Sequence, residues 1–566
     1  MLSTKVMDTL NSLSSKKHLK YTIYLAAIIV FFAIILIPPI IGILIKAPEI
    51  GNFLNYPELV NTASIAIVNS FVIGLIVAAL DLFAGIPLAW MITRSKSRWM
   101  SILDTLADLP FIVPTAALGY SLLLFWSSDS GISGLFGSSI VSPGYILVMF
   151  LHFTFSFPVV VRVLVGSMLD YKMEYERASR TMGAPPLTAA RTVTFPILKP
   201  SLIAAYSLAF ARSLSETGAT FIVAGLLFQN GPVFIQNLKN DLTAGAITTA
   251  TYEGGTVFTS IILIAISLVI FGVIRVVGNR MRLPLGFFGK KLPVFEKKLS
   301  YKKGVLTRNT LALIVFFGII LLPSVFVALP AFQAITQGTN LVDALTGAGI
   351  WASFWNSLLL SYVLGVIVTL LGILAGIPMA ILIARKTFGN LPSVILDSLM
   401  NVPIIVPSIA LGVSLRFFWQ GTGVPDFALL VLAHLAITYP YFVRSMSAAI
   451  ERIPIELEDA SKTLGAKPFT VFKSIVLPLT KYSILSGAII VFTRSVSETG
   501  ATLAVTSTLE TAPVLIVNWV NSIRGVGTAI AGVNQSTVGL ACGLLILFSF
   551  IVLFALRLLT KKKGKA

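Results

Sequence analysis

The sequence predicts an all-α polytopic membrane protein of about twelve transmembrane helices, arranged as two parallel six-helix repeats. Three observations predict it. Only 11% of the 566 residues are charged and 56% are hydrophobic. A soluble domain carries about 25% charged residues, so this chain cannot cover a water-facing surface of its size. The apolar residues gather into runs long enough for a hydrocarbon core of about 30 Å, which takes roughly 20 residues per helix. Finally, the second half of the chain repeats the first.

The spans fall, in order, near 21–46, 62–93, 102–126, 144–168, 201–225 and 251–277, then near 310–332, 355–384, 395–419, 426–450, 482–506 and 537–559. The first is too long for a cleavable signal, and no small-residue cleavage site follows it. Twelve spans put both termini on one side, and basic residues choose the side. Segments 1–20, 94–101, 169–200, 275–309, 385–394, 451–481 and 557–566 share one face and hold 34 of the 42 Lys and Arg residues. The opposite loops hold Lys46, Lys239 and Arg524. Both termini are therefore expected in the cytoplasm and the chain in the plasma membrane. The net charge of +19 sits beside apolar spans, so membrane lipid, not nucleic acid, is the expected partner of the basic residues. The single Cys542 allows no internal disulfide and no cysteine metal cage.

The repeat is read directly. Ala211-Arg-Ser-Leu-Ser-Glu-Thr-Gly-Ala-Thr220 recurs as Thr493-Arg-Ser-Val-Ser-Glu-Thr-Gly-Ala-Thr502, an offset of 282. The same offset maps His152 to His434, Pro158 to Pro440, Arg162 to Arg444 and Gly183 to Gly465. Six spans per copy are an even number, so both copies enter the membrane in the same direction, about a pseudo-twofold axis along its normal. The expected organisation is a cytoplasmic segment 1–20, a first repeat 21–277, a basic linker 278–309, a second repeat 310–559 and a basic tail 560–566.

One long loop inside each repeat, 169–200 and 451–481, carries matching chemistry. The first reads Tyr175-Glu-Arg-Ala-Ser-Arg-Thr-Met-Gly183 and ends at Pro196; the second reads Leu457-Glu-Asp-Ala-Ser-Lys-Thr-Leu-Gly465 and ends at Pro478. Glu176 and Glu458 put negative charge in a first helical turn, where the dipole favours it. Each glycine permits a reversal at a helix end, and a following proline can open the next helix. Ala178 and Ala460 leave a small, flat surface. No G-x-x-x-x-G-K-[ST] phosphate loop occurs anywhere in the chain.

Both loops resemble the EAA loop of ABC-transporter permeases. The matching positions are Arg177, Ala178, Ser179, Gly183 and Pro196, then Asp459, Ala460, Ser461, Gly465 and Pro478. The departures are a serine for the second alanine and glutamates, Glu176 and Glu458, one place early. The resemblance covers nearly the whole chain. It implies a type I importer permease with both halves fused, each loop docking as a coupling helix on a separate ATPase subunit. The implied partners are two such subunits, alike in sequence, and an extracytoplasmic solute-binding protein. ATP and magnesium would be used by the ATPase subunits, and this chain would bind no cofactor and carry no catalytic residues.

Charges at membrane depth are costly and mark function or structural pairing. Arg212 and Glu216 lie four apart, as do Arg494 and Glu498, so each couple is expected to share a helix face. Ser215, Thr217, Ser497 and Thr499 add hydroxyls, and Gly218 and Gly500 permit close helix approach. These residues either line the translocation path or form a structural ion pair. Pro110 and Pro114, with Pro403 and Pro407, should break spans three and nine at lining or gate positions. His152 and His434 read as packing residues rather than metal ligands, and no metal site is expected. Asp81 should face the bundle interior. Arg162 and Arg444 should snorkel or reach the coupling loops. The segment after Arg212 resembles permeases for molybdate, tungstate and sulfate. The fused halves and the Leu-Ala-His lead of span ten resemble iron(III) and thiamine permeases. An inorganic oxyanion is the leading expectation for the cargo and iron(III) or thiamine the alternative. An ion-coupled secondary transporter using Glu216 or Glu498 is the rival of another class.

Overall fold

The computed structural model describes residues 11–560 apart from 13, 96, 98, 129–130, 226–227, 281–290, 337–340, 507 and 526–528. The expected N-terminal segment 1–20 and linker 278–309 therefore lie partly outside the described residues, and the tail 560–566 almost wholly so. Among the described residues there are helices and no strands.

The first repeat runs α1 (Tyr21–Leu54), α2 (Pro57–Arg94), α3 (Trp99–Phe111), α4 (Thr115–Ser127), α5 (Tyr145–Asp170), α6 (Met173–Thr181), α7 (Pro186–Ser215), α8 (Gly218–Val223), α9 (Gly231–Thr243) and α10 (Thr249–Arg280). A linker helix α11 (Lys291–Leu299) follows. The second repeat runs α12 (Lys303–Ile335), α13 (Ile350–Ala384), α14 (Asn390–Ile405), α15 (Ser408–Trp419), α16 (Asp426–Glu451), α17 (Ile455–Thr463), α18 (Pro468–Val496), α19 (Gly500–Val505), α20 (Ala512–Ile523) and α21 (Gln535–Thr560). Among the described residues, ten helices are long and apolar enough to cross a bilayer. The pairs α3/α4 and α14/α15, bent by 103° and 102°, bring the number to twelve when each is taken as one span.

Proline makes the bends where the sequence places them. Val113 and Val406 are extended (ψ 122° and 129°) because the next residue is Pro114 or Pro407. Pro110 and Pro403 sit in the first turn of the short segment before each bend, where a missing N–H costs nothing. A second pair of breaks differs from expectation. The runs 201–225 and 482–506 read as continuous spans, yet α7 stops at Ser215 and α18 at Val496. Glu216 is extended (ψ 127°), and helix resumes at Gly218 and Gly500. Apolar periodicity cannot reveal this break, because the residues on both sides remain apolar or small. The repeats also share local irregularities. Widened π turns occur at Phe31–Leu36 and Phe316–Leu321, and again at Ala190–Thr194 and Phe472–Val476.

The first span of each repeat packs on the other repeat. Phe31 and Ile35 of α1 lie in the second repeat's core, and Phe316 and Ile320 of α12 lie in the first repeat's. The ring contacts match: Phe31 with Tyr439 at 6.3 Å and Phe157 with Phe316 at 6.2 Å. Polar links fix the exchange, since Ser121 of α4 donates to the Pro323 carbonyl of α12 at 2.6 Å. Glycine allows close approaches between helices. A Cβ on Gly119 would lie 2.9 Å from Ala219 Cα, and one on Gly412 would lie 2.8 Å from the Ala501 carbonyl oxygen.

Gly412→Val should therefore lower stability by about 1–3 kcal/mol through overpacking, read as a lower thermal midpoint in detergent. Gly166→Val, with nothing within 4 Å of the new methyl carbon, should shift the midpoint far less.

Candidate functional site

The four helix breaks meet one another. Thr115, at the start of α4, donates to the Ser497 carbonyl at 3.0 Å and lies 3.5 Å from Thr499 Oγ1. Ser408, at the start of α15, donates to the Ser215 carbonyl at 3.0 Å. Each repeat's proline break thus satisfies a carbonyl freed by the other repeat's second break, as backbone removed from water requires. Gly218 and Gly500 face the opposite break across the axis. A Cβ on Gly218 would lie 2.5 Å from Thr499 Cβ, and one on Gly500 would lie 2.7 Å from Thr217 Oγ1. Pro114, Thr493 and Ser497 line one narrow crevice at this centre.

Each break is bridged from within its own repeat. His152 Nδ1 pairs with Ser213 before the break (2.7 Å) and Nε2 with Thr220 after it (2.8 Å). His434 does the same with Ser495 and Thr502, both at 2.9 Å. The restarted helices have free N–H groups that carboxylates accept: Ala219 donates to Glu216 Oε1 and Ala501 to Glu498 Oε1, each at 3.0 Å. Both glutamates are buried. Asp81, also buried, accepts from Ser156 of α5. Among the described residues no three His, Cys, Asp or Glu side chains gather as a metal site.

The expected Arg–Glu couples do not form alike, and neither lies on one continuous helix. Arg494 pairs with Glu498 at 2.6 Å, fully within the protein. Arg212 instead stacks on Phe155 at 3.8 Å from the ring centroid, with Phe111 at 5.5 Å. The sequence explains the difference. Where the first repeat has Phe155 and Phe111, the second has Ile437 and Ile404, so only Arg212 meets ring faces able to hold a cation.

At the far side of the basic loops, two of the three lone cations tie one repeat to the other. Lys239 donates to the carbonyls of Leu503 and Thr506, and Arg524 donates to that of Ile222. They close the C-terminal ends of α19 and α8. Lys46 pairs with Glu253 at 2.8 Å.

The two loops form helix, reversal, helix. α6 and α17 end at Gly183 (φ +92°) and Gly465 (φ +84°). Ala184 N–H bonds back to the Ser179 carbonyl and Ala466 to that of Ser461, the left-handed helix stop that glycine favours. Arg177, Ala178, Asp459 and Ala460 are exposed. Glu176 and Glu458 are not part of that exposed face. Glu176 pairs with Arg94 at 3.2 Å and Glu458 with Arg385 at 2.6 Å, fastening each loop to the end of its second span. Ser179 is buried and Ser461 half-buried. Pro196 and Pro478 lie inside α7 and α18, just past the π turns, so they belong to the span helices. Arg162 does not reach the loop; it bridges to Asp104 (2.8 Å) and Asp108 (2.5 Å) of the α3 region, and Arg444 approaches Asp397 at 4.0 Å.

Sequence reading missed four residues of this region. Met182 and Leu464, each just before the glycine, are 82% and 89% exposed; a large apolar side chain in an otherwise polar loop was the available signal. Arg94 and Arg385 were missed as anchors, although each ends the second span of its repeat.

Comparison with known proteins matches residues 81–283 and 372–564 to the family described as binding-protein-dependent transport system inner membrane component. The sulfate transport system permease protein CysT of Salmonella typhimurium is 30% identical over 38% of this chain and 79% of its own length. The molybdate/tungstate transport system permease protein WtpB of Pyrococcus furiosus is 31% identical over 35% of this chain and 78% of its own. The molybdenum transport system permease protein ModB of Escherichia coli is 30% identical over 27% and 73%. Each aligns with less than half of this chain, as one repeat of a duplicated protein should.

Glu498→Gln leaves Arg494 buried without its carboxylate, a loss of about 3–5 kcal/mol. Glu216 makes no direct ion pair among the described residues, and it meets Arg494 and Arg212 only at longer range. Thermal unfolding of the purified protein should therefore show a clearly larger drop for Glu498→Gln than for Glu216→Gln.

Proposed function

This chain belongs to the family of binding-protein-dependent transport system inner membrane components, and on that premise we propose that it conducts a small inorganic oxyanion. It is the fused, membrane-spanning permease of an ABC importer. In the proposed assembly, a solute-binding protein delivers the anion on the side of Lys46, Lys239 and Arg524. Two like ATPase subunits, using ATP and magnesium, dock on the side of α6 and α17, which is the cytoplasmic side and holds both termini.

The observation that carries the ATP-driven reading is the pair of matched docking elbows. Each presents a bare small-residue face, an exposed apolar knob (Met182 or Leu464) and a positive-φ glycine that fixes the knob's direction. An ion-coupled transporter has no mechanical need of such a pair. Force on α6 passes along two routes: through Glu176 and Arg94 into α2, and through the reversal into α7, which ends at the central break. The second repeat uses Glu458, Arg385 and α18 in the same way. Opening the path requires the Thr115–Ser497 and Ser408–Ser215 contacts to part. The domain boundaries 21–277 and 310–559 follow from this division into two moving repeats with exchanged first spans.

The oxyanion reading rests on the relatives, which are permeases for sulfate, molybdate and tungstate, and this favours it over iron(III) or thiamine. Parted breaks would expose hydroxyls of Thr115, Thr217, Ser408 and Thr499 and the Arg212 guanidinium. These donors suit a tetrahedral anion.

Proteoliposomes holding the permease, its ATPase subunits and its binding protein should take up labelled molybdate or sulfate only with ATP. Uptake driven by a pH gradient with the ATPase absent would overturn the reading. Met182→Glu with Leu464→Glu should release the ATPase subunits in co-purification and cut uptake more than about tenfold, the effect of losing roughly 1.4 kcal/mol of docking energy. Bulky residues at Gly183 and Gly465 should abolish uptake while membrane insertion stays normal.

A further inference from the structure

Both elbows share a defect that their own sequence cannot repair. The helix after each reversal begins at Pro186 or Pro468, and its cap position is Pro185 or Lys467. Neither residue has a side-chain oxygen for the free N–H groups of the first turn. The acceptors come from elsewhere in the chain. Leu187 N–H donates to Ser300 Oγ at 3.3 Å, and Thr188 Oγ1 donates to Glu296 Oε2 at 2.6 Å. Arg191, one turn on, also pairs with Glu296. In the second repeat, Phe469 N–H donates to Ser14 Oγ at 3.1 Å. Thr470 donates to Asn11 Oδ1 from both its N–H (3.1 Å) and its Oγ1 (2.9 Å).

The correspondence is residue for residue. Leu187 and Thr188 become Phe469 and Thr470 at the repeat offset of 282. Each is met by a serine and an acceptor three or four residues before it. Both serines bond back to that acceptor residue's carbonyl, Ser14 to Asn11 and Ser300 to Glu296. The acceptor segments are equivalent too, because each immediately precedes a first span, α1 or α12, which packs on the opposite repeat. Glu296 is buried, although the helix carrying it is otherwise rich in exposed lysine. Two unrelated local sequences have thus arrived at the same contact, which a solvated linker has no reason to make.

Resting on the docking reading above, we infer that Glu296 with Ser300, and Asn11 with Ser14, are positioning residues that clamp the second arm of each docking elbow to the exchanged first span. The clamp makes each elbow a rigid lever. A push on α6 or α17 then moves α7 or α18 and the adjoining first span together, instead of fraying the first turn after the reversal. The linker is accordingly a working part of the first elbow and not only a tether between repeats.

The test is made on the full transporter in proteoliposomes, by measuring labelled oxyanion taken up per ATP hydrolysed. Glu296→Ala combined with Asn11→Ala should leave the ATPase subunits co-purifying and ATP hydrolysis running, while uptake per ATP falls about fivefold, the scale of losing one net hydrogen bond. Glu296→Gln combined with Asn11→Asp, which keeps an acceptor at each position, should restore most of it. Unchanged uptake per ATP in the alanine pair overturns the proposal. So does equal failure of the conservative pair, which would mark a general structural role. The docking reading fails separately: if Met182→Glu with Leu464→Glu leaves the ATPase bound, that reading falls and the clamp with it. If those variants release the ATPase while the alanine pair transports normally, only the clamp falls.

Discussion

Backbone that leaves a helix inside lipid must find partners in protein, and that constraint organises the centre of this molecule. Four chain breaks occur at membrane depth, two made by Pro114 and Pro407 and two at Glu216 and Glu498. No break is satisfied alone. Thr115 and Ser408 each serve a carbonyl of the opposite repeat, the histidines span the breaks of their own repeat, and the glutamates cap the restarted helices. An unsatisfied polar group there costs several kcal/mol. The contact between repeats is therefore strong when made and can part only if water or an anion replaces the lost partners. That is the behaviour required of a gate.

The same duplicated frame carries unequal detail. Exchange of Phe155 for Ile437 decides whether the buried arginine stacks or pairs, so one half of the proposed gate holds a neutralised couple and the other a guanidinium held by ring faces. At the loops, the anchors Arg94–Glu176 and Arg385–Glu458 are conserved between repeats, while the outer clamps use a carboxylate on one side and an amide on the other. Fusion of two permease halves permits this divergence, because each half always meets the same partner.

Much of this was legible in the sequence. Charge scarcity, twelve apolar runs and the offset of 282 fix the class and the duplication, and the paired glycines mark the elbows. The proline breaks were visible because proline acts locally. The breaks at Glu216 and Glu498 were not, since Gly, Thr and Ala leave the hydropathy of a span unchanged, and the hydrogen bonds that stabilise the breaks come from residues distant in sequence. The partners of Glu176 and Glu458 were out of sight for a related reason. Helix spacing gives which residues share a face, but whether that face meets the membrane domain or a partner depends on Arg94 and Arg385, both distant in sequence. The caps from Ser14 and Ser300 join residues 455 and 113 positions apart, beyond any local pattern.

The central claim is that the contact between the two repeats' breaks parts in every transport cycle. In a Cys542→Ser background, Thr115→Cys with Thr499→Cys places two thiols where hydroxyl oxygens now lie 3.5 Å apart, close enough for a disulfide. Oxidation should form the bridge and stop ATP-driven uptake in proteoliposomes, and reductant should restore it. Uptake at the full rate with the disulfide intact would contradict the account.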